Sequence, residues 1–428
     1  MFDAKQFLIP LEARRGYIVA ETQWAIDEMR GLFETLGGVP CGEQLIKLRG
    51  IDPRSYIGGG KLAEISEKMA AADTSVLLLD FDLSPSQLKN IEKLAKGLVL
   101  DRTGVILEIF SRHARSKEAK LQVELARLQY LMPRLTHLWS HFERQRGSGG
   151  ASLKGKGMGE TQIEVDRRLV KDRINSLQRK MKDVDQSRSL HRRSREDLLQ
   201  VAMVGYTNAG KSTLMNALCH ADVLVEDALF ATLDSSVRLL NPKSRPAILA
   251  IDTVGFIDRL PHNLVASFKS TLSAVLEADL LVHVLDASHP EVRRHYDVTQ
   301  AVLAELGATD IPQILVLNKT DLCAPEELAL LKVWAAGNTR TAVAGGAMAI
   351  SAHDTVGVTA LRDQILKYFD SIMGVYEVVV PYEDGKTMAQ ICELGRIETK
   401  KELEQGTFVR FRTMDVFAKK FNLTRYAL

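Results

Sequence analysis

The chain has 428 residues, 46% of them hydrophobic, which is ample for buried cores, and the length predicts two to four domains. Lys and Arg number 56 against 54 Asp and Glu, a net charge of +2, so overall basicity points to no class of partner. No apolar run approaches the ~20 residues needed to cross a membrane. The start, Met1-Phe2-Asp3-Ala4-Lys5, lacks a basic-then-apolar leader pattern. Cys41, Cys219, Cys323 and Cys392 form no C-x-x-C pair, which predicts a reducing compartment, the cytoplasm, and no structural zinc.

Residues 1–112 are expected to form an N-terminal α/β domain with a mostly parallel sheet. Gly16–Ala20, Leu45–Leu48 and Ser75–Leu79 read as strands. Trp24–Leu36 and Lys61–Ala71 read as helices, and Ser84-Pro85 opens another, with serine as cap and proline in the first turn. Tyr56-Ile57-Gly58-Gly59-Gly60-Lys61 lies just before a helix. It reads as a backbone-rich grip on RNA phosphate, as a second nucleotide site, or as a plain turn.

Residues 113–196 change character. Leu121, Leu125, Leu128, Met132 and Leu135 recur at helical spacing. So do Ile163, Val170, Ile174, Leu177, Met181 and Val184, which from Val170 step by four and three as in a coiled seam. Thr161-x-x-Glu164 reads as a capping box at the start of the second run. The expectation is a long antiparallel helical hairpin with a glycine-rich tip (145–159). Residues 111–197 carry 21 Lys and Arg against 11 Asp and Glu, a net of +10, so a near-neutral chain concentrates its positive charge here. Such a hairpin suits folded RNA, with Arg144, Arg146, Lys154, Lys156, Arg167 and Arg168 as candidate contacts beside Gly58, Gly59, Gly60 and Lys61. The ordinary alternative is a solvated helical face.

Residues 197–373 are expected to form a P-loop GTPase domain. The apolar strand Val201–Val204 runs into Gly205-Tyr206-Thr207-Asn208-Ala209-Gly210-Lys211-Ser212, and Thr213 continues into a helix. This is G-x-x-x-x-G-K-S in the strand–loop–helix setting that a phosphate cradle needs. Lys211 would reach the β- and γ-phosphates, and the Ser212 hydroxyl would join a Mg2+ shell. Leu229-Phe230-Ala231-Thr232-Leu233-Asp234 is a candidate first switch, with Thr232 joining that shell only when the γ-phosphate is present, or serving as an ordinary loop threonine. Ile248–Asp252 reads as a strand leading into Asp252-Thr253-Val254-Gly255, a D-x-x-G in which Asp252 sits near Mg2+ and the Gly255 N–H meets the γ-phosphate. The strand Ile314–Leu317 leads into Asn318-Lys319-Thr320-Asp321. The Asp321 carboxylate would accept from guanine N1–H and N2–H2, a donor pair that adenine lacks. Ser351-Ala352-His353 would back the guanine. The residue after Gly255 is Phe256, which cannot orient a water molecule. Intrinsic hydrolysis is therefore expected to be slow. Asn208 either helps hold a K+ ion, as in some GTPases with an apolar residue after D-x-x-G, or only stabilises the loop.

Residues 374–428 begin with Glu377–Tyr382 and read as a small C-terminal module of strand, helix, strand and a final amphipathic piece.

The chain resembles the HflX GTPases over nearly all of its length. Its matching stretches include Tyr56-Ile57-Gly58-x-Gly60-Lys61, Leu100-Asp101-Arg102-Thr103, Lys120–Ala126, Gly159-Glu160-Thr161-Gln162, Asp166-Arg167-Arg168, Phe230–Asp234 and Asp252–Phe256. Two places depart from the family's wording: the loop Gly147–Gly159, and Gly59, where a charged or polar residue is usual. The resemblance implies a cytoplasmic GTPase that binds the large ribosomal subunit and its rRNA, with the N-terminal region reaching the peptidyl-transferase region; a monomer is expected. The resemblance also implies dissociation of stalled ribosomes, as some members perform. Two alternatives stand beside this reading: a regulatory GTPase switch that binds a protein partner, and an RNA-unwinding ATPase activity in the N-terminal domain.

Overall fold

The computed structural model describes residues 11, 13–48, 50–95, 97–134, 158–193, 198–219, 230, 236–242, 244–258, 274–338 and 347–427. These fall into two compact units. One holds the described residues up to Gln186 together with Phe230; the other holds the rest.

The first unit has a four-stranded parallel sheet, built from β1 (Arg15–Ala20), β2 (Val39–Leu45), β3 (Val76–Leu79) and β4 (Leu98–Asp101) in the order β2-β1-β3-β4. The parallel crossovers require helices, and α1 (Gln23–Thr35), α2 (Gly59–Ala71) and α3 (Pro85–Ala95) supply them. Ser84 and Gln87 cap α3 reciprocally: the Gln87 N–H donates to Ser84 Oγ (3.3 Å), and the Ser84 N–H donates to Gln87 Oε1 (2.9 Å). The strand expected at Leu45–Leu48 lies earlier, at Val39–Leu45. β2 is an edge strand containing Pro40, so it lacks the continuous apolar run of its buried neighbours.

The stretch Leu100–Thr103 is structural. Asp101 caps α4 (Arg102–His113) by accepting from the Gly104 N–H at 2.8 Å. Its carboxylate also accepts from the Tyr130 hydroxyl at 2.7 Å. Arg102 is fully buried and is paired with Glu28 and with Asp80 (2.5 Å).

α5 (Lys117–Leu131) and α6 (Met158–Arg193) meet along the expected seam. Leu121, Leu125 and Leu128 pack with Val170, Ile174 and Leu177, and Met181 and Val184 are partly buried beside them. Arg173 grips Glu124 with two hydrogen bonds of 2.7 and 2.9 Å. Met132 lies on the exposed side. The proposed capping box is not at a helix start: α6 begins at Met158, so Thr161 is already inside it. Most of the glycine-rich tip, with Leu135, lies outside the described residues, and so does the side chain of Ile163.

The second unit is built on a six-stranded sheet, order β10-β9-β8-β5-β7-β6. Its strands are β5 (Leu199–Val204), β6 (Val237–Leu239), β7 (Ile248–Asp252), β8 (Leu280–Asp286), β9 (Gln313–Asn318) and β10 (Met348–Ala349). All pairs are parallel except β6 with β7. Helices α7 (Lys211–Cys219), α8 (Val292–Leu306), α9 (Pro325–Asn338) and α10 (Thr355–Ile372) connect or flank them. The central strands are buried along their length, which is why they read as unbroken apolar runs. The C-terminal part has one more strand than expected. β11 (Gly374–Val380), β12 (Arg396–Leu403) and β13 (Gly406–Thr413) form an antiparallel sheet, order β11-β13-β12, with α11 (Gly385–Leu394) and α12 (Asp415–Lys420). Phe417 of α12 reaches into the core of the six-stranded sheet.

Candidate nucleotide site

The chain leaves β5 at the middle of the sheet and turns through Gly205–Gly210 into α7. Two of these residues must be glycine. A methyl group on Gly205 (φ +148°) would lie 2.2 Å from the Val284 carbonyl oxygen, and one on Gly210 (φ +88°) would lie 2.3 Å from Asn318 Nδ2. Asn208 takes a left-handed conformation (φ +58°) and is exposed at the rim.

Lys211 is buried, with its ammonium donating to the Gly205 and Tyr206 carbonyls at 3.1 and 2.6 Å. Burial holds it down at about 8, and the Asp252 carboxylate opposes that shift. The Ser212 hydroxyl donates to Asp252 Oδ2 at 2.6 Å. A hydroxyl and a carboxylate side by side at the start of α7 are hard oxygen donors of the kind Mg2+ takes. No cluster of three His, Cys, Asp or Glu that could hold a metal exists among the described residues. Thr213 follows in α7, half-buried.

The D-x-x-G turn lies directly over the loop. The Phe256 N–H donates to the Gly205 carbonyl (3.0 Å), and the Thr207 N–H donates to the Phe256 carbonyl (2.8 Å). The Thr253 hydroxyl turns away, donating to the Met203 carbonyl (2.6 Å), and Val254 and Phe256 are buried. A methyl group on Gly255 would meet Thr207 Cα at 2.8 Å and Lys211 Nζ at 3.1 Å. Gly255 therefore borders the space that Lys211 also faces.

At the other end, Asn318 is a tie-bar. Its amide donates to the Ala209 carbonyl (2.9 Å) and its oxygen accepts from the Ala352 N–H (3.0 Å), so it joins the phosphate-type loop to the Ser351–His353 turn. Lys319 is paired with Asp286 at 2.7 Å. The Thr320 N–H donates to the Ile350 carbonyl (3.3 Å). Asp321 is exposed and its carboxyl is held below the usual range, first by the Ser351 hydroxyl. An ionised acceptor is what a guanine N–H pair requires. The His353 N–H donates to Ser351 Oγ at 3.3 Å.

A clasp behind the loop has no signature in the sequence. The Tyr206 ring is stacked on His295 of α8, centroids 3.8 Å apart and planes within 5°, and its hydroxyl accepts from the Asp258 N–H at 2.9 Å. Asp258 is held by Arg294 at 2.7 Å. These residues are dozens of positions apart and follow no short motif.

Other expected residues are placed elsewhere or lie beyond description. Ala231 and Thr232 are outside the described residues. Phe230 is buried in the first unit, edge-on to Phe110 (4.7 Å, 86°). Arg167 and Arg168 are exposed on α6, whereas Arg144, Arg146, Lys154 and Lys156 are outside the described residues. Gly58, Gly59 and Gly60 are exposed at the start of α2 with open space beside each, and Lys61 pairs with Glu64 at 2.7 Å.

A glycine-constrained loop with a buried lysine, a serine–aspartate pair and an N-K-x-D turn together define a P-loop GTPase. Three family profiles match in succession: "GTP-binding GTPase N-terminal" at residues 23–111, "GTP-binding GTPase Middle Region" at 113–195 and "50S ribosome-binding GTPase" at 200–319. The GTPase HflX of Gluconacetobacter diazotrophicus is 39% identical over 426 residues, covering 91% of each chain. That of Magnetococcus marinus is 42% identical over 387 residues (90% of this chain, 87% of the relative). That of Escherichia coli K12 is 39% identical over 365 residues (83% and 81%). Among solved structures, a GTP-binding protein from Sulfolobus solfataricus in complex with GDP is similar at 25% identity, covering 83% of this chain and 98% of that one, with a TM-score of 0.44. The chain belongs to the HflX family of GTPases, and it hydrolyses GTP.

Proposed function

We propose that this GTPase acts on the large ribosomal subunit in the cytoplasm, as a monomer, and separates stalled ribosomes into subunits. The observation that carries the reading is the +10 net charge gathered in residues 111–197 of a chain whose total is +2. Charge gathered on a two-helix element gives a salt-sensitive grip on phosphate, whatever the net charge of the whole. The exposed Arg167 and Arg168 and the open backbone at Gly58–Gly60 are in keeping with rRNA contact. So is the ribosome-binding description of the profile that matches residues 200–319. No described helix is long and apolar enough to cross a membrane.

In this reading the domains are residues 1–112, 113–196, 197–373 and 374–428. The loop Gly205–Ser212 and Thr213 cradle the phosphates. Lys211 balances charge on the β- and γ-phosphates, and the Gly255 N–H reads the γ-phosphate. Asp321 and the Ser351–His353 turn hold the guanine. Ser212 and Asp252, with Thr232, would hold Mg2+, which when bound neutralises phosphate charge. Asn208 is exposed in the loop, and in this reading it helps hold K+.

The test is GTP turnover with and without purified large subunits, in K+ and in Na+. Strong stimulation by subunits supports the reading, and a requirement for K+ adds Asn208 to the site. Turnover that ignores the subunits in either salt contradicts it.

A further inference from the structure

Phe256 occupies the position from which a polar side chain would orient the attacking water, and it is buried. Within the loop, one buried polar side chain packs against the D-x-x-G turn. Thr207 is 6% exposed, and its hydroxyl has no hydrogen-bond partner among the described residues. Buried hydroxyls are nearly always paired, so one left open beside a ligand site points to a partner that arrives with the ligand.

Its position follows from three neighbours. A methyl group on Gly255 would touch Thr207 Cγ2 at 2.9 Å, Thr207 Cα at 2.8 Å and Lys211 Nζ at 3.1 Å. The Thr207 N–H is already committed to the Phe256 carbonyl, which fixes the residue against the D-x-x-G turn. Lysine and the D-x-x-G glycine are the two groups of a P-loop GTPase that meet the γ-phosphate. Thr207 thus lies at the γ-phosphate end of the loop.

We propose that the Thr207 hydroxyl is a further catalytic residue, holding the attacking water against the γ-phosphate. The water oxygen forms a bond to the γ-phosphorus as the bond to the β,γ-bridging oxygen breaks. The electron pair leaves on GDP and the water proton ends on the released phosphate. Thr207 accepts a hydrogen bond from the water and donates its own to a γ-phosphate oxygen, without being consumed. The proposal rests on GTP hydrolysis and not on the ribosomal partner.

The experiment is single-turnover GTP hydrolysis by the full chain as Thr207→Val and Thr207→Ser, with GTP and GDP affinities measured in parallel. Valine keeps the shape and removes the hydroxyl; serine keeps the hydroxyl. The expected result is a fall of tenfold or more in the single-turnover rate at saturating GTP for Thr207→Val, with GDP affinity within twofold of the parent, and recovery in Thr207→Ser. Three results would overturn it. The first is a Thr207→Val rate within twofold of the parent. The second is a loss of GDP and GTP affinity whose rate defect disappears at saturating GTP, which would make the hydroxyl a strut of the loop. The third is a Thr207→Ser variant as slow as Thr207→Val.

Discussion

Replacing Asn318 with alanine should separate the two halves of the nucleotide site. The asparagine makes two hydrogen bonds, to the Ala209 carbonyl (2.9 Å) and from the Ala352 N–H (3.0 Å). Ala209 is buried and Ala352 half-buried, so both backbone groups lose a partner that water replaces poorly. A stranded buried group costs about 1–3 kcal/mol, and the half-buried N–H takes the lower end, giving about 2–4 kcal/mol in total. Bound nucleotide must rebuild the arrangement, so much of this appears as affinity: about 2 kcal/mol is a rise in the GDP Kd of roughly 30-fold. Titration with a fluorescent GDP analogue measures it, and a circular dichroism melt checks that the sheet remains folded. A Kd within threefold of the parent, in a folded protein, would refute the tie-bar role.

Further expectations follow from other contacts. Tyr206→Phe removes the acceptor for the Asp258 N–H and keeps the ring that stacks on His295, so GTP hydrolysis should fall more than GDP affinity; equal losses would argue against a clasp on the D-x-x-G turn. Arg102→Met leaves Glu28 and Asp80 without their buried partner and should cost about 3–5 kcal/mol, read from denaturant unfolding. Burial, with the Lys211 ammonium adding for His283 and the neighbouring His289 for His295, holds both imidazoles down at about 3. The unfolded chain then binds more protons between pH 6.5 and 3, so stability is lost as pH falls through that window. Each histidine contributes up to about 1.4 kcal/mol per pH unit, and replacing both with glutamine should flatten the urea midpoints between pH 7 and 5.

The legible parts of the fold were those where local chemistry and tertiary burial agree. β5, β8 and β9 are buried on both faces, so each is an apolar run that no helix period explains. The α5–α6 seam was legible because its spacing is set by helix geometry alone, from Leu121 to Leu177. β2 was misplaced because an edge strand needs little apolar sequence. The start of α6 was misplaced because Gly159, a poor helix former, is drawn into the helix. In the site, fixed spacing exposed Lys211, Ser212 and the N-K-x-D turn. The open hydroxyl of Thr207 and the clasp from Tyr206 to Asp258, Arg294 and His295 were hidden. They depend on contacts between segments some 50 to 90 residues apart, which no local pattern encodes.

The most direct test of the account is equilibrium binding of the full chain to purified large ribosomal subunits, with a non-hydrolysable GTP analogue or GDP, across a range of salt. The account predicts tight binding with the analogue, weaker binding with GDP, and affinity that falls steeply as salt rises, as expected of phosphate contacts by the basic residues of 111–197. Binding that is absent, or indifferent to both nucleotide and salt, would contradict it.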